Sequence, residues 1–245
     1  MMKQFFYFLT ATLFMTMPAS AAEPLRFSSG PAQTVLVELF TSEGCSSCPP
    51  AEVYLNRFTG HTALWKQYIP LAFHVDYWDY LGWKDRYAQP AHAQRQQQYA
   101  QQRRVSTVYT PAFVVNGQGW RPGWTSEEPK SEGTPAGTLT VSLRGTQLEA
   151  VFDPLTPETK TLQLHLAILG MGLTTEIRAG ENSGRQAQHE FVVLAQKQIN
   201  TNNGRWRGTL PEVENRWGAK RLALVTWVSR ADDLAPLQAT GGYLP

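Results

Sequence analysis

The sequence predicts an α/β domain followed by a smaller β-rich domain, and three patterns carry this prediction. An apolar, β-branched run at residues 34–40 precedes a helical pattern and a second apolar run at residues 69–75. Strand, helix and strand in this order are typical of a parallel β-α-β unit. Residues 121–137 are rich in Pro, Gly, Ser and Glu, as linkers are. Beyond residue 137, apolar and polar residues alternate as in half-buried strands.

The first segment, residues 1–21, has the order of a secretory signal peptide. Lys3 precedes an apolar run at residues 5–17, and small residues follow Pro18. The run is short for a membrane span. We therefore expect an exported protein, in the bacterial periplasm or secreted, with no membrane span after the signal is cleaved.

The charge distribution argues against nucleic acids and anionic membranes as binding partners. The chain has 22 basic and 20 acidic residues, and its Lys and Arg residues form no cluster. Proteins that bind nucleic acid or anionic membranes usually carry a basic patch. We expect neither kind of partner.

The α/β domain is predicted over residues 22–122. Its first helix begins at Pro49, because prolines suit a first turn, and ends near Gly60. Residues 76–105 are aromatic-rich and then Gln- and Ala-rich, which predicts a helical insert. The β-rich run before Asn116-Gly117 predicts a hairpin, since Asn-Gly favours its tight turn.

A linker at residues 123–137 and a β-rich domain at residues 138–245 complete the predicted organisation. The domain is expected to be a small sandwich, because several short strands are separated by turns. Its predicted strands share strong apolar character and lie at residues 139–143, 162–168, 190–194 and 222–228.

The chain has only two cysteines, Cys45 and Cys48, separated by Ser46 and Ser47. A bridge between them closes a very small loop and would constrain little of the unfolded chain. At a helix start, unpaired N–H groups and the helix dipole favour a thiolate at the first cysteine. We therefore predict a redox pair in which Cys45 is the nucleophile and Cys48 the resolving thiol.

Two other interpretations of this motif remain open. One is a small structural disulfide. The other is a metal site in which both thiolates act with His61 or His74, although the chain has no second Cys-x-x-Cys motif. We predict no metal and no cofactor.

Three segments resemble the thioredoxin superfamily: residues 37–40, residues 45–49 and residues 109–117. The resemblance implies a thioredoxin-like fold with a cis-proline at Pro111 facing the cysteines. It also implies that Thr110 offers its backbone to a substrate strand and that Glu38 is a buried acid that handles protons. The spacing between Glu38 and Cys45 is one residue longer than in these relatives, so an edge or solvent-facing Glu38 is an equal alternative. The tryptophan that the superfamily carries before its first cysteine is replaced here by Gly44.

The sequence also resembles a secreted bacterial family of unknown function with a thioredoxin-like fold. The motifs that carry this likeness span residues 40–50, 74–79 and 180–185. By itself, the last of these segments is typical of a polar turn between strands.

Trp78 follows a predicted strand end, where active-site loops gather. It either offers an apolar surface to a peptide substrate or anchors the insert as a core aromatic. Together these features predict an exported thiol–disulfide oxidoreductase whose partners are protein thiols and disulfides or a redox protein. The alternative is a binding module or metal carrier that uses the two cysteines without redox turnover.

Overall fold

The computed structural model describes residues 23–122, 127–201 and 203–245. The predicted signal peptide and part of the predicted linker, residues 123–126, lie outside these ranges. The helices are α1 (Pro49–Asn56) and α2 (Pro90–Gln101), and single 3-10 turns cover Arg57–Gly60 and Asp79–Leu81. The strands, in chain order, are β1 (Leu25–Ser28), β2 (Val35–Thr41), β3 (Tyr68–His74), β4 (Ala112–Val115), β5 (Gln118–Trp120), β6 (Gly137–Arg144), β7 (Gln147–Pro154), β8 (Leu162–Met171), β9 (Leu173–Glu176), β10 (Gln186–His189), β11 (Val192–Thr201), β12 (Arg205–Thr209), β13 (Arg221–Arg230) and β14 (Asp233–Tyr243).

An eight-stranded sheet runs through the described molecule in the order β14-β13-β8-β11-β3-β2-β4-β5. Strand β3 pairs in parallel with both β2 and β11, whereas the other pairs in this sheet are antiparallel. Every residue of β2 and β3 is buried. Both faces of the sheet are therefore covered at its centre.

A second sheet, in the order β1-β6-β7-β12, packs against the β8-β13 part of the large sheet. Its inward side chains alternate with exposed ones, as β6 shows. Leu139, Val141 and Phe152 meet Leu164 and Leu224 in this core. The sandwich predicted for the second half is thus present, but both of its sheets also contain strands of the first half.

The predicted fold class, a thioredoxin-like α/β domain with a helical insert followed by a separate β-rich domain, is wrong. The protein is mostly β-sheet, with 45% strand and 12% helix. The β3–β11 contact merges strands from both halves into one sheet, and one hydrophobic core contains Leu39, Leu169 and Trp227. The segment predicted as a helical insert contains α2, one 3-10 turn and loops.

Individual elements were predicted correctly where the pattern is local. The structure confirms the parallel pairing of β2 with β3, the helix α1 between them, and strands at the four predicted positions in the second half. The β4–β5 hairpin turns at Asn116 and Gly117, whose φ angles are 45° and 77°. Two positive φ values are the requirement that makes Asn-Gly favourable there.

Helix α2 is fixed to the sheet by a buried ion pair. Arg95 Nε donates to Glu38 Oε1 over 2.6 Å, and the Tyr99 hydroxyl donates to Glu38 Oε2 over 2.5 Å. The Glu38 and Arg95 side chains are 0% and 5% exposed. Among the described residues, Glu38 and Arg95 are each other's ion-pair partners, so loss of one leaves the other as an unpaired buried charge.

We predict that Glu38→Gln strongly destabilises the protein. It removes the carboxylate that compensates Arg95, which is expected to lower the free energy of unfolding by about 3–5 kcal/mol in urea denaturation. Glu149→Gln is the matched control, since its ion pair with Arg207 is 63% and 85% exposed and should change stability by less than about 1 kcal/mol. Equal effects of the two substitutions would contradict the anchoring role of Glu38.

Candidate functional site

The two cysteines lie in the connection between β2 and α1. They form a disulfide with their Cα atoms 5.4 Å apart. The Cys45 N–H donates to the Ser42 carbonyl over 3.1 Å, and the Cys48 N–H donates to the Cys45 carbonyl over 3.2 Å. Cys48 is the N-cap of α1. The motif thus lies at a strand-to-helix junction, as the sequence predicts.

The disulfide is nearly covered, with Cys45 2% exposed and Cys48 0% exposed. Ser46 and Ser47 between them are exposed. The Ser47 hydroxyl lies 3.4 Å from Cys45 Sγ. Any group that exchanges with the disulfide must therefore approach Cys45 from the side of the two serines.

The start of α1 has fewer free backbone N–H groups to stabilise a thiolate than the motif predicts. Pro49 and Pro50 occupy the first helical positions and have no N–H group. The N–H groups of Ala51 and Glu52 both donate to the Cys48 carbonyl. The Ser47 hydroxyl is thus the polar group that contacts Cys45 Sγ directly.

The Thr110-Pro111 peptide bond is cis. Trp78 Nε1 donates to Thr110 Oγ1 over 2.6 Å. Trp78 also packs against Gly44, where an added Cβ would lie 3.1 Å from Trp78 Cβ. Through Trp78, the structure joins the Thr110-Pro111 step to the residue that precedes Cys45, and Gly44 provides the space for that contact.

A surface groove of about 410 Å³ reaches the disulfide loop at Ser47. It joins one serine of the motif to aromatic and proline side chains of the β4–β5 region. Its lining residues are Ser47, Pro50, Ala51, Tyr54, Tyr109, Pro111, Phe113, Trp120, Arg121 and Pro122. Pro111 and Ser47 therefore share one groove, with an apolar floor.

Glu38 is not brought to the disulfide. Successive side chains of a strand point to opposite faces of the sheet. Thr41 of β2 donates to Glu52 on α1, whereas Glu38 faces α2. Since α1 carries Cys48, Glu38 lies on the other face of the sheet, and the predicted proton-handling role of Glu38 is not supported.

Other buried carboxylates lie next to the cysteine loop, around His189 at the end of β10. His189 Nε2 is 3.0 Å from Glu43 Oε1, and His189 Nδ1 is 2.6 Å from Glu52 Oε2. Thr41 Oγ1 donates to Glu52 Oε1 over 2.6 Å, and Trp83 Nε1 donates to Glu43 Oε2 over 2.7 Å. His189 thereby ties the loop before Cys45 to the helix after Cys48.

The electrostatics of this group follow from its burial and pairing. Burial alone would lower the pKa of His189, but the carboxylates of Glu52 and Glu43 outweigh it and raise the pKa to about 10. Burial alone would raise the pKa of Glu52, but the facing His189 makes the net shift downward. His189 is thus a cation between two carboxylates at neutral pH.

A second buried histidine, His74 at the end of β3, lies beside the first. Its ring centroid is 5.2 Å from that of His189. His74 Nδ1 is 2.7 Å from Asp85 Oδ2, an oxygen that also accepts from the Glu43 N–H. The other ring nitrogen of His74, Nε2, is buried and has no hydrogen-bond partner. Glu52, His74 and His189 are the described residues that could together hold a metal ion.

The segment at residues 180–185 contacts the cysteine loop directly. Asn182 Nδ2 donates to the carbonyls of Glu43 and Cys45, each over 2.9 Å. Glu181 Oε2 accepts from the Ser46 N–H over 3.3 Å. Although it contains turns, this segment also holds the disulfide loop in place.

Sequence reasoning missed Glu43, Glu52, Asp85 and His189 as site residues. Glu43 and His189 are 146 positions apart and share no local motif. The one available signal was the position of Glu43 and Glu52 on either side of the cysteine pair. The fragment 180–185 was noticed through resemblance, but its contact with the cysteines was not predicted.

Comparison with known proteins identifies similar folds but no activity. The structure is similar to the X-ray structure of protein AGR_C_4864 from Agrobacterium tumefaciens, with 23% identity, a TM-score of 0.63, and coverage of 86% of this chain and 94% of that one. It is also similar to HBP35 of Porphyromonas gingivalis, with 15% identity, a TM-score of 0.59, and coverage of 88% and 76%. No curated protein matches the chain.

No helix in the described part of the chain is both long and apolar enough to cross a membrane. The model of one protein family matches residues 36–229, which is most of the chain. The chain therefore belongs to DUF1223, a family of proteins of unknown function.

Proposed function

We propose that the protein is an exported thiol–disulfide oxidoreductase that exchanges disulfides with protein thiols through Cys45 and Cys48. The observation that carries the proposal is a Cys45–Cys48 disulfide whose intervening Ser47 lines an apolar groove that also contains Pro111. A disulfide that only stabilised the fold would gain little from so small a loop.

The exchange proceeds in two balanced steps. A substrate thiolate attacks Cys45 Sγ, the Cys45–Cys48 bond breaks, and Cys48 leaves as a thiolate while a mixed disulfide forms. A second substrate thiolate then attacks the substrate sulfur, so the substrate leaves oxidised and Cys45 leaves as a thiolate. The pair gains the two electrons that the substrate loses, and the same steps in reverse reduce a substrate disulfide.

The different roles of Cys45 and Cys48 are assigned from their surroundings and exposure. Cys45 adjoins the exposed serines and contacts the Ser47 hydroxyl, whereas Cys48 is 0% exposed at the start of α1. Since Cys45 is 2% exposed and Cys48 0%, we assign the attacking sulfur to Cys45 and the resolving sulfur to Cys48. Tyr54, Phe113 and Trp120 in the groove provide apolar surface for an extended peptide, and Thr110 lies beside them with its hydroxyl held by Trp78.

We predict that the two single variants behave differently in a trapping experiment. Cys48→Ser should form a lasting mixed disulfide with a peptide carrying an activated disulfide, because no resolving thiol remains. Cys45→Ser should react at least roughly tenfold more slowly, because its remaining thiol is buried. Mass spectrometry measures the adducts, and circular dichroism shows whether both variants are folded.

The reduction potential of the wild-type pair decides whether it turns over. It is measured by thiol trapping in glutathione buffers, together with exchange on a reduced model protein. We expect a potential above about −300 mV and measurable exchange, since inert structural disulfides lie below that value. A lower potential without exchange, or equal trapping by both variants, would overturn the proposed function.

We further predict that Ser47→Ala slows the alkylation of Cys45. The Ser47 hydroxyl can donate to the Cys45 thiolate, and loss of a hydrogen bond to a charged group of about 1.5 kcal/mol corresponds to roughly a tenfold change in rate. The reaction of the reduced protein with iodoacetamide is followed from pH 5 to 9. Ser46→Ala is the matched control, because Ser46 is equally exposed and only its N–H group has a described contact. Identical profiles for the two variants would contradict the role of Ser47.

A further inference from the structure

The buried group around His189 carries an excess of negative groups. Glu43, Glu52 and Asp85 are three carboxylates, and no Lys or Arg forms an ion pair with them within the described ranges. The histidines His74 and His189 are their described charged partners. Buried carboxylates need compensation by cations or metal ions. This group is therefore suited to an additional positive charge.

Each histidine has one nitrogen held by a carboxylate. Asp85 holds Nδ1 of His74 at 2.7 Å, and Glu43 holds Nε2 of His189 at 3.0 Å. Metal-binding histidines commonly have this arrangement, in which an outer carboxylate fixes the ring and strengthens the opposite nitrogen as a ligand. The opposite nitrogens here are Nε2 of His74 and Nδ1 of His189.

Of these opposite nitrogens, that of His189 contacts Glu52, and that of His74 is unpartnered among the described residues. Nδ1 of His189 is 2.6 Å from Glu52 Oε2, and Nε2 of His74 is buried without a hydrogen-bond partner. One ligand atom from each of Glu52, His74 and His189 lies within 4.8 Å of the others. An ion bound at about 2.0–2.2 Å needs ligand atoms about 3.3 Å apart, so small side-chain rotations suffice.

We propose that Glu52, His74 and His189 bind one divalent transition-metal ion of the zinc class. Two imidazoles and one carboxylate form a borderline-soft ligand set that suits such ions and leaves a fourth position open. The ion enters between Glu52 and His189, and their direct contact opens. Glu43 and Asp85 remain as the outer carboxylates that orient the two rings.

A surface groove borders the site on the side of Glu52 and His189. The groove has a volume of about 620 Å³ and is lined by Glu43, Glu52, Asn182 and His189, among others. A small space lined by Glu52, His74 and His189, among others, is too narrow for a water molecule, so these side chains must separate to admit an ion. An ion arriving through the groove therefore meets Glu52 and His189 first and His74 last.

This site is independent of the cysteines, and the proposal does not rest on disulfide exchange. In the oxidised protein both sulfurs are bonded to each other and neither is a thiolate ligand. The metal-carrier alternative considered for the sequence used the two thiolates as ligands. The two kinds of site are therefore distinguished by the oxidation state in which the metal is held.

The test uses the oxidised, chelator-treated protein and Zn²⁺ alone. Isothermal titration calorimetry should show one ion per chain with a dissociation constant below about 1 µM, and the Co²⁺-loaded protein should show the visible absorption of a low-coordinate site. X-ray absorption of the Zn²⁺-loaded protein should show imidazole and oxygen ligands and no sulfur. A dissociation constant weaker than about 10 µM, or sulfur in the ligand shell, would overturn the proposal.

Variants locate the site. Glu52→Gln keeps the side-chain size and the oxygen that accepts from Thr41, and it should weaken Zn²⁺ binding at least tenfold. His61→Gln is the matched control, because His61 forms a partly exposed pair with Glu128 at 3.1 Å. The double variant Cys45→Ser, Cys48→Ser should bind Zn²⁺ as the wild type does. If Glu52→Gln does not fold, X-ray absorption of the Zn²⁺-loaded wild type still identifies the ligands. Loss of Zn²⁺ binding only in His61→Gln or in the cysteine variant would refute the assignment.

Discussion

The parallel contact between β3 and β11 organises the molecule. The Ala72 N–H donates to the Phe191 carbonyl over 2.8 Å, and Val192 pairs with Ala72. This short contact joins the strands of the second half to β2 and β3. It also fixes where two strand ends meet, because β3 ends at His74 and β10 ends at His189, just before β11. The buried histidine pair is thus a direct consequence of how the sheet is assembled.

The histidine pair in turn holds the disulfide segment at both ends. His189 bonds Glu43, two residues before Cys45, and Glu52, four residues after Cys48. Asn182 adds two bonds to carbonyls of the same loop. Buried polar networks of this kind are stable only when their members are satisfied, and they then rigidify the segments they join. After reduction, this network would therefore hold the two thiols close together. The disulfide would then re-form more readily than in a flexible loop, where the thiols could move apart.

Local patterns predicted local structure, and non-local contacts decided the rest. Periodicity and turn residues gave β2, α1, β3 and the β4–β5 hairpin, because each of these depends on residues close in sequence. The segment near Val192 was correctly predicted as a strand, but nothing in its sequence specifies that it pairs with Ala72. The pairings of β3 with β11 and of β1 with β6 join the two halves, and they overturn the expected organisation of an α/β domain followed by a separate β-rich domain.

Glu38 shows the same limit at the level of one side chain. Its place in an apolar strand is compatible with burial on one face or exposure on the other, because a strand has two faces and a shift of one residue exchanges them. In the structure, Glu38 contacts Arg95 and Tyr99 on α2, so its carboxylate fixes that helix to the sheet. The carboxylates near the cysteines are instead Glu43 and Glu52. Their importance depends on His189, and proximity to the motif alone could not distinguish them from solvent-exposed acids.

Glu52 connects the sulfur chemistry to the proposed metal site. Its N–H donates to the carbonyl of Cys48, the N-cap of α1, so Glu52 belongs to the first turn of the helix that begins at the resolving cysteine. Its side chain contacts Thr41 and His189 on the face where the ion would bind. An ion held by Glu52 would therefore restrain the same helical turn that positions Cys48. The two sites have separate ligands and separate tests, but they share one structural support.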